Sequence, residues 1–186
     1  MSETVYYYDQ ALQRCQQLFV QKNTDYGTAW RILRPSSLTD QLYIKAQRIR
    51  NIELAGTSAV AEGIEPEFIG IVNYAFMALI QLQYPVSEEV QLFLSAQEVL
   101  SLYEAVAAQT RQLMIQKNTD YGDAWRWMRV SSYTDLILMK LLRTKQIENN
   151  SGQTLVSEGV DANYQDIANY ALFALIQLYF IDQNHS

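Results

Sequence analysis

The chain repeats itself, and that constrains its fold more than any other feature. QKNTDYGTAWRILRPSSLTDQLYIKAQRIRNIE begins at Gln21, and QKNTDYGDAWRWMRVSSYTDLILMKLLRTKQIE begins at Gln116. After one extra residue in the second copy, EGIEPEFIGIVNYAFMALIQL from Glu62 matches EGVDANYQDIANYALFALIQL from Glu158. A duplicated unit that cannot bury its own apolar face buries it against its twin. The expected organisation is copy one over residues 1–84, a helical linker over 85–99 and copy two over 100–186, together one compact domain.

The periodicity is helical throughout. Tyr8, Ala11, Leu12, Cys15, Leu18 and Phe19 form one stripe, echoed by Val106, Leu113 and Met114. This first helix is expected to end near Lys22 and Lys117, with NTDYG as a turn in which Gly27 and Gly122 take positive φ. A second helix is expected over Leu38–Leu54 and Thr134–Asn149. Serines 36, 37 and 132 would cap it, Asp40 and Asp135 would lie in its first turn, and Gly56 and Gly152 would stand just beyond its end. The third, over Pro66–Tyr84 and Asp161–Ile181, is apolar nearly all round, as a central buried helix is. The linker reads as a helix opened by Ser87 with Glu88 and Glu89. No segment alternates with period two, so the fold class is all-α: a tandem three-helix unit forming a helical bundle.

Composition narrows the chemistry. The only histidine is His185 and the only cysteine is Cys15, which removes histidine-based triads, disulfides and cysteine-built zinc sites. Apolar residues are 49% and the net charge is −6, so stable nucleic-acid binding is not expected. No run approaches the roughly 18–20 apolar residues of a membrane span. MSETVYYYDQ lacks the basic and apolar regions of a signal peptide. The expectation is a soluble, cytoplasmic protein, open to homo-oligomer formation, with a small-molecule partner.

Residues kept in both copies mark candidate sites. Five basic pairs recur: Lys22/Lys117, Arg31/Arg126, Arg34/Arg129, Lys45/Lys140 and Arg48/Arg143. So much matched cation in an acidic chain points to an anion site, or equally to ion pairs that bridge the copies. In KNTDYGxAW, Lys22 and Lys117 can meet a phosphate as point charges. Asp25 and Asp120 can orient them, and Tyr26, Tyr121, Trp30 and Trp125 can stack on a base or pack in the core. Lys140, Arg143, Arg126 and Arg129 extend the candidate phosphate site, while Asp120 and Glu148 could orient a water. On helix three, Glu67 faces Gly70 at the i+3 position, whereas Asn163 faces Asp166: each copy keeps one half of an E-x-x-D pair. Glu158, Asp161 and Asp166 are the candidate ligands for Mg²⁺. Asn73 and Asn169, inside the apolar helix, need hydrogen-bond partners across the bundle.

The set KNxDYGxAW, SSxTD, KxxR, IE, VxEG and DIxNYA resembles a bacterial nucleotide-modification-associated domain family of unknown function. The resemblance covers both copies. More distantly the pattern is similar to the all-α nucleoside triphosphate pyrophosphohydrolases of the MazG and dimeric dUTPase group. That similarity implies a pseudo-twofold bundle, a nucleotide ligand, Mg²⁺ held by E-x-x-E and E-x-x-D helices, and pyrophosphate release. No E-x-x-E stands on helix one or two, so the alternative is a non-catalytic helical module that binds a nucleotide or a protein with a degenerate metal site.

Overall fold

A computed structural model describes residues 2–56, 63–84, 94–156 and 158–181. It contains six α-helices: α1 (Glu3–Tyr26), α2 (Pro35–Ala55), α3 (Glu65–Gln83), α4 (Ala96–Tyr121), α5 (Val130–Asn149) and α6 (Val160–Ile176). A single 3-10 turn follows α1 (Ala29–Ile32) and another follows α4 (Ala124–Trp127). A π-helical turn, Gln177–Ile181, extends α6. The order helix, 3-10 turn, helix, helix therefore occurs twice. Among the described residues there is no strand, and no helix is long and apolar enough to cross a membrane.

Three local expectations are corrected. The first helix of each copy does not stop at the lysine but runs through KNTDY to Tyr26 and Tyr121. The residues that suggested a turn are accommodated inside the helix. Thr24 donates its hydroxyl to the Val20 carbonyl (3.0 Å) and Thr119 to that of Ile115 (2.9 Å). The chain turns only at Gly27 and Gly122, both at φ 61°. This extra turn sets Lys22 and Tyr26, and likewise Lys117 and Tyr121, four residues apart on one helix face.

The second helix starts earlier than expected, and no serine caps it. Arg34 and Arg129 hold the cap position with extended backbone and no side-chain cap bond. Pro35 begins α2, where its fixed φ suits the first turn. Asp40 and Asp135 consequently lie beyond the first turn. There they pair across the two copies, Asp40 with Lys145 (2.6 Å) and Asp135 with Arg50 (3.9 Å). The linker residues Ser87, Glu88 and Glu89 lie outside the described residues, as do Glu62 and His185. The described helix α4 opens at Ser95, in a capping box with Glu98.

Helices α3 and α6 form the centre, packed on each other more extensively than any other pair. Phe68, Ile71, Phe76, Tyr164, Ile167 and Leu172 are fully buried there, and Ala75, Ala78, Ala168, Ala171 and Ala174 keep the helices close. Helices α2 and α5 pack on these two and on each other, while α1 and α4 cover the other side. Helix α1 lies on α6 of the other copy as well as on its own α3, so the copies are interleaved.

Matched residues join the copies reciprocally. Tyr8 of α1 donates to Asn169 Oδ1 of α6 (2.7 Å), and Tyr103 of α4 donates to Asn73 Oδ1 of α3 (2.8 Å). Each asparagine amide then donates within its own copy, Asn73 to the Cys15 carbonyl (3.0 Å) and Asn169 to that of Thr110 (3.3 Å). The expected partners of these buried asparagines are thereby found. A second crossed set joins α2 to α5. Thr39 Oγ1 lies 2.7 Å from Glu148 Oε1 and 2.6 Å from the Tyr164 hydroxyl, and Thr134 donates to Glu53 Oε1 (2.9 Å).

Two outcomes follow from these bonds. Tyr8→Phe changes almost no volume but leaves Asn169 Oδ1 buried without its donor, so urea unfolding should show a loss of about 1–3 kcal/mol. A change within error would mean that the crossed bond contributes nothing. Burial raises the Glu53 carboxyl above its ordinary 4.5, with the Thr134 hydroxyl and Arg50 pulling the other way. The folded state therefore holds this proton more tightly than the unfolded one, and the stability this provides fades as pH rises through the raised value. Glu53→Gln removes that dependence. Relative to the parent its unfolding free energy should climb as pH is raised from 4.5; a pH-independent difference would refute the assignment.

Candidate functional site

The extra helical turn, the glycine and the 3-10 turn of each copy fold back towards helix three and leave a cavity between them. Cavity one, about 360 Å³, is lined by Lys22, Asn23, Tyr26 and Trp30 from this segment, by Lys45 from α2, and by Gly70, Asn73 and Tyr74 from α3. Cavity two, about 430 Å³, is lined at matched positions by Lys117, Asn118, Tyr121 and Trp125, and by Asp166, Asn169 and Tyr170 from α6. Both volumes lie in the range of small-molecule sites. The floor of each cavity includes the asparagine that carries the crossed bond from the other copy.

A glutamine fixes each 3-10 turn. Gln81 is buried and donates its amide to the carbonyls of Arg31 (2.9 Å) and Leu33 (2.5 Å). Gln177 does the same to Trp125 (3.1 Å), Arg126 (3.0 Å) and Met128 (3.4 Å). These matched glutamines satisfy carbonyls that the short turn leaves open. Sequence reading missed them, because a glutamine in an apolar helix reads only as an interruption. Its recurrence in both IQL segments was the available signal.

The two cavities differ in charge. In copy one the buried Glu67 is bridged by Lys45 (3.2 Å) and Arg48. In copy two the buried Asp166 sits between Lys117 (2.5 Å) and Lys140 (2.7 Å). The carboxylate has moved one turn along helix three. At Gly70, the position matching Asp166, a Cβ would lie 2.8 Å from Lys45 Cε. The stem of Lys45 thus occupies that space as it reaches back to Glu67. Burial alone would pull Lys117 down, but the hydrogen bond and charge of Asp166, helped by Glu158, leave it above its ordinary value. Tyr170 is raised too, first by burial and then by the Asp166 charge.

Other proposed site residues fall elsewhere. Asp25 and Asp120 are exposed on the last helical turn and line neither cavity. Glu148 lies in the α2–α5 contact with Thr39 and Tyr164, where it is a bridge between the copies. Arg126 pairs with Glu3 (2.9 Å) and Asp123 (3.6 Å) and lies over the Trp125 ring, and Arg129 stands at the cap position of α5 without a side-chain cap bond. Arg143, Glu158 and Lys140 surround a separate cavity of about 570 Å³ beside Asn163. Asp161 lies in the exposed first turn of α6, its Oδ1 against Gly159.

The donor set does not fit Mg²⁺. Both halves of the divided E-x-x-D are engaged by ammonium or guanidinium groups, and Asp166 has one lysine on each oxygen. Among the described residues, no three His, Cys, Asp or Glu side chains are grouped to hold a metal ion. A divalent cation at Asp166 would have to displace two lysines from a buried carboxylate.

The family model Nucleotide modification associated domain 1 matches residues 22–82 and 117–178. No curated protein and no solved structure matches the chain. Each matched segment begins at the cavity lysine and runs past the glutamine that fixes the 3-10 turn. With both repeats matched from the cavity lysine through helix three, the chain belongs to the nucleotide modification associated domain 1 family.

Proposed function

We propose that the chain is a non-catalytic nucleotide-binding module whose ligand enters a cavity of this construction without a metal. The observation that carries this reading is the paired construction. The same lysine, asparagine, tyrosine and tryptophan surround a nucleotide-sized space twice. A lysine ammonium supplies a point charge for phosphate. The exposed tyrosine ring supplies a face on which a base can stack. The family description, which associates the domain with nucleotide modification, supports the ligand class.

The pyrophosphohydrolase alternative requires a carboxylate cluster around Mg²⁺, and the ion pairs at Glu67 and Asp166 speak against it. Isothermal titration of nucleoside triphosphates and deoxynucleoside triphosphates, with and without Mg²⁺, separates the two when pyrophosphate is assayed in the same samples. The expected outcome is binding that persists in EDTA, with no pyrophosphate released. Binding that requires Mg²⁺ and yields pyrophosphate would replace this reading with the enzymatic one. No binding would remove the nucleotide altogether.

A further inference from the structure

The twin cavities share a frame but not a charge. Among the described residues, cavity one is lined by two cations, Lys22 and Lys45, and by no carboxylate. Cavity two is lined by one of each sign, Lys117 and Asp166. Among the described residues Lys22 makes no ion pair or hydrogen bond, whereas Lys117 is held by Asp166 at 2.5 Å.

A second difference lies at the tryptophan. Trp125 donates its indole N–H to Thr4 Oγ1 (3.3 Å). The position matching Thr4 is Val99, which has no acceptor, and the buried indole N–H of Trp30 is left without a partner. Among the described residues, cavity one therefore offers an unpaired ammonium. In cavity two the matching ammonium is already paired with Asp166.

We infer that phosphate is bound in cavity one alone, and that the residue at the Gly70/Asp166 position decides which cavity accepts it. This rests on the nucleotide-binding reading above and assigns its phosphoryl site. With glycine at this position, Lys22 has no counter-ion among the described residues, and an incoming phosphate supplies one. With aspartate, the buried carboxylate neutralises the lysine beforehand and repels an anion. Cavity two thus rejects the phosphoryl group that cavity one holds.

The test uses the full chain, with dATP, dGTP, dCTP and dTTP titrated in EDTA. The parent should bind one nucleotide per chain. Lys22→Ala should weaken binding about tenfold or more, the scale of one charge-assisted hydrogen bond. Gly70→Asp should do the same by importing the carboxylate of copy two. The atoms its Cβ would meet belong to the flexible end of Lys45, which can swing to pair with the new acid as Lys140 does with Asp166. Asp166→Asn should free Lys117 and raise the stoichiometry to two. Circular dichroism and thermal melting confirm that each variant is folded, and Gly70→Asp decides the matter if Asp166→Asn is not. Two equal sites in the parent, or binding indifferent to both Lys22→Ala and Gly70→Asp, would overturn this assignment while leaving the nucleotide reading intact. A parent that binds none of the nucleotides would overturn both.

Discussion

The structure depends on a pair of buried asparagines that neither repeat can satisfy by itself. Asn73 and Asn169 lie in the middle of the two most apolar helices, and each needs an acceptor for its amide and a donor for its oxygen. Its own copy supplies the acceptor, a carbonyl of α1 or α4. The donor is a tyrosine from the other copy. A helix-three segment folded against its own first helix would leave a polar oxygen buried and unpaired. Apolar packing alone would tolerate many arrangements of six amphipathic helices; these bonds select the one in which α1 reaches α6 and α4 reaches α3.

Around this symmetric centre the charges are arranged without symmetry, and the lysine side chain makes that possible. Lys45 and Lys140 occupy matched positions on α2 and α5, yet one pairs with an acid at position 67 and the other with an acid a turn further along. A four-carbon stem spans that difference easily, provided nothing fills the nearer position. Gly70 leaves it clear, and Lys45 lies across it. Each copy thus places one buried carboxylate opposite helix two, on a different turn of helix three. The cavity is not indifferent to that turn, because only the later position also reaches the lysine of the KNTDY segment, Lys117.

What the sequence disclosed and what it hid follow the same logic. Repeated residues are visible, so the duplication, the apolar third helix and the need to partner Asn73 and Asn169 could all be read directly. Local chemistry misled where tertiary contacts override it. Asn, Thr and Asp before Gly27 favour a turn in isolation, but threonine back-bonding lets the helix continue. Ser36 and Ser37 are good caps, but Pro35 claims the first turn before them. Of the matched acids Asp40, Asp135, Glu53 and Glu148, the last suggested chemistry by its recurrence. They recur because each bridges to the opposite copy. Duplication preserves interface residues as faithfully as site residues, and spacing alone does not tell them apart.

The interleaving also explains why the cavities cannot be separated from the fold. Asn73 forms part of the floor of cavity one and is held by Tyr103 of copy two. Asn169 forms part of the floor of cavity two and is held by Tyr8, which belongs to the helix whose far end carries Lys22. Each site thus has its walls from one repeat and its floor anchored by the other. A lone repeat would lose the tyrosine that orients its asparagine, and with it the surface against which the lysine and the aromatic rings are set. Tandem duplication in one chain keeps both halves present in equal amount. It also allows the two positions to diverge, as Gly70 and Asp166 have done, while the shared scaffold stays the same.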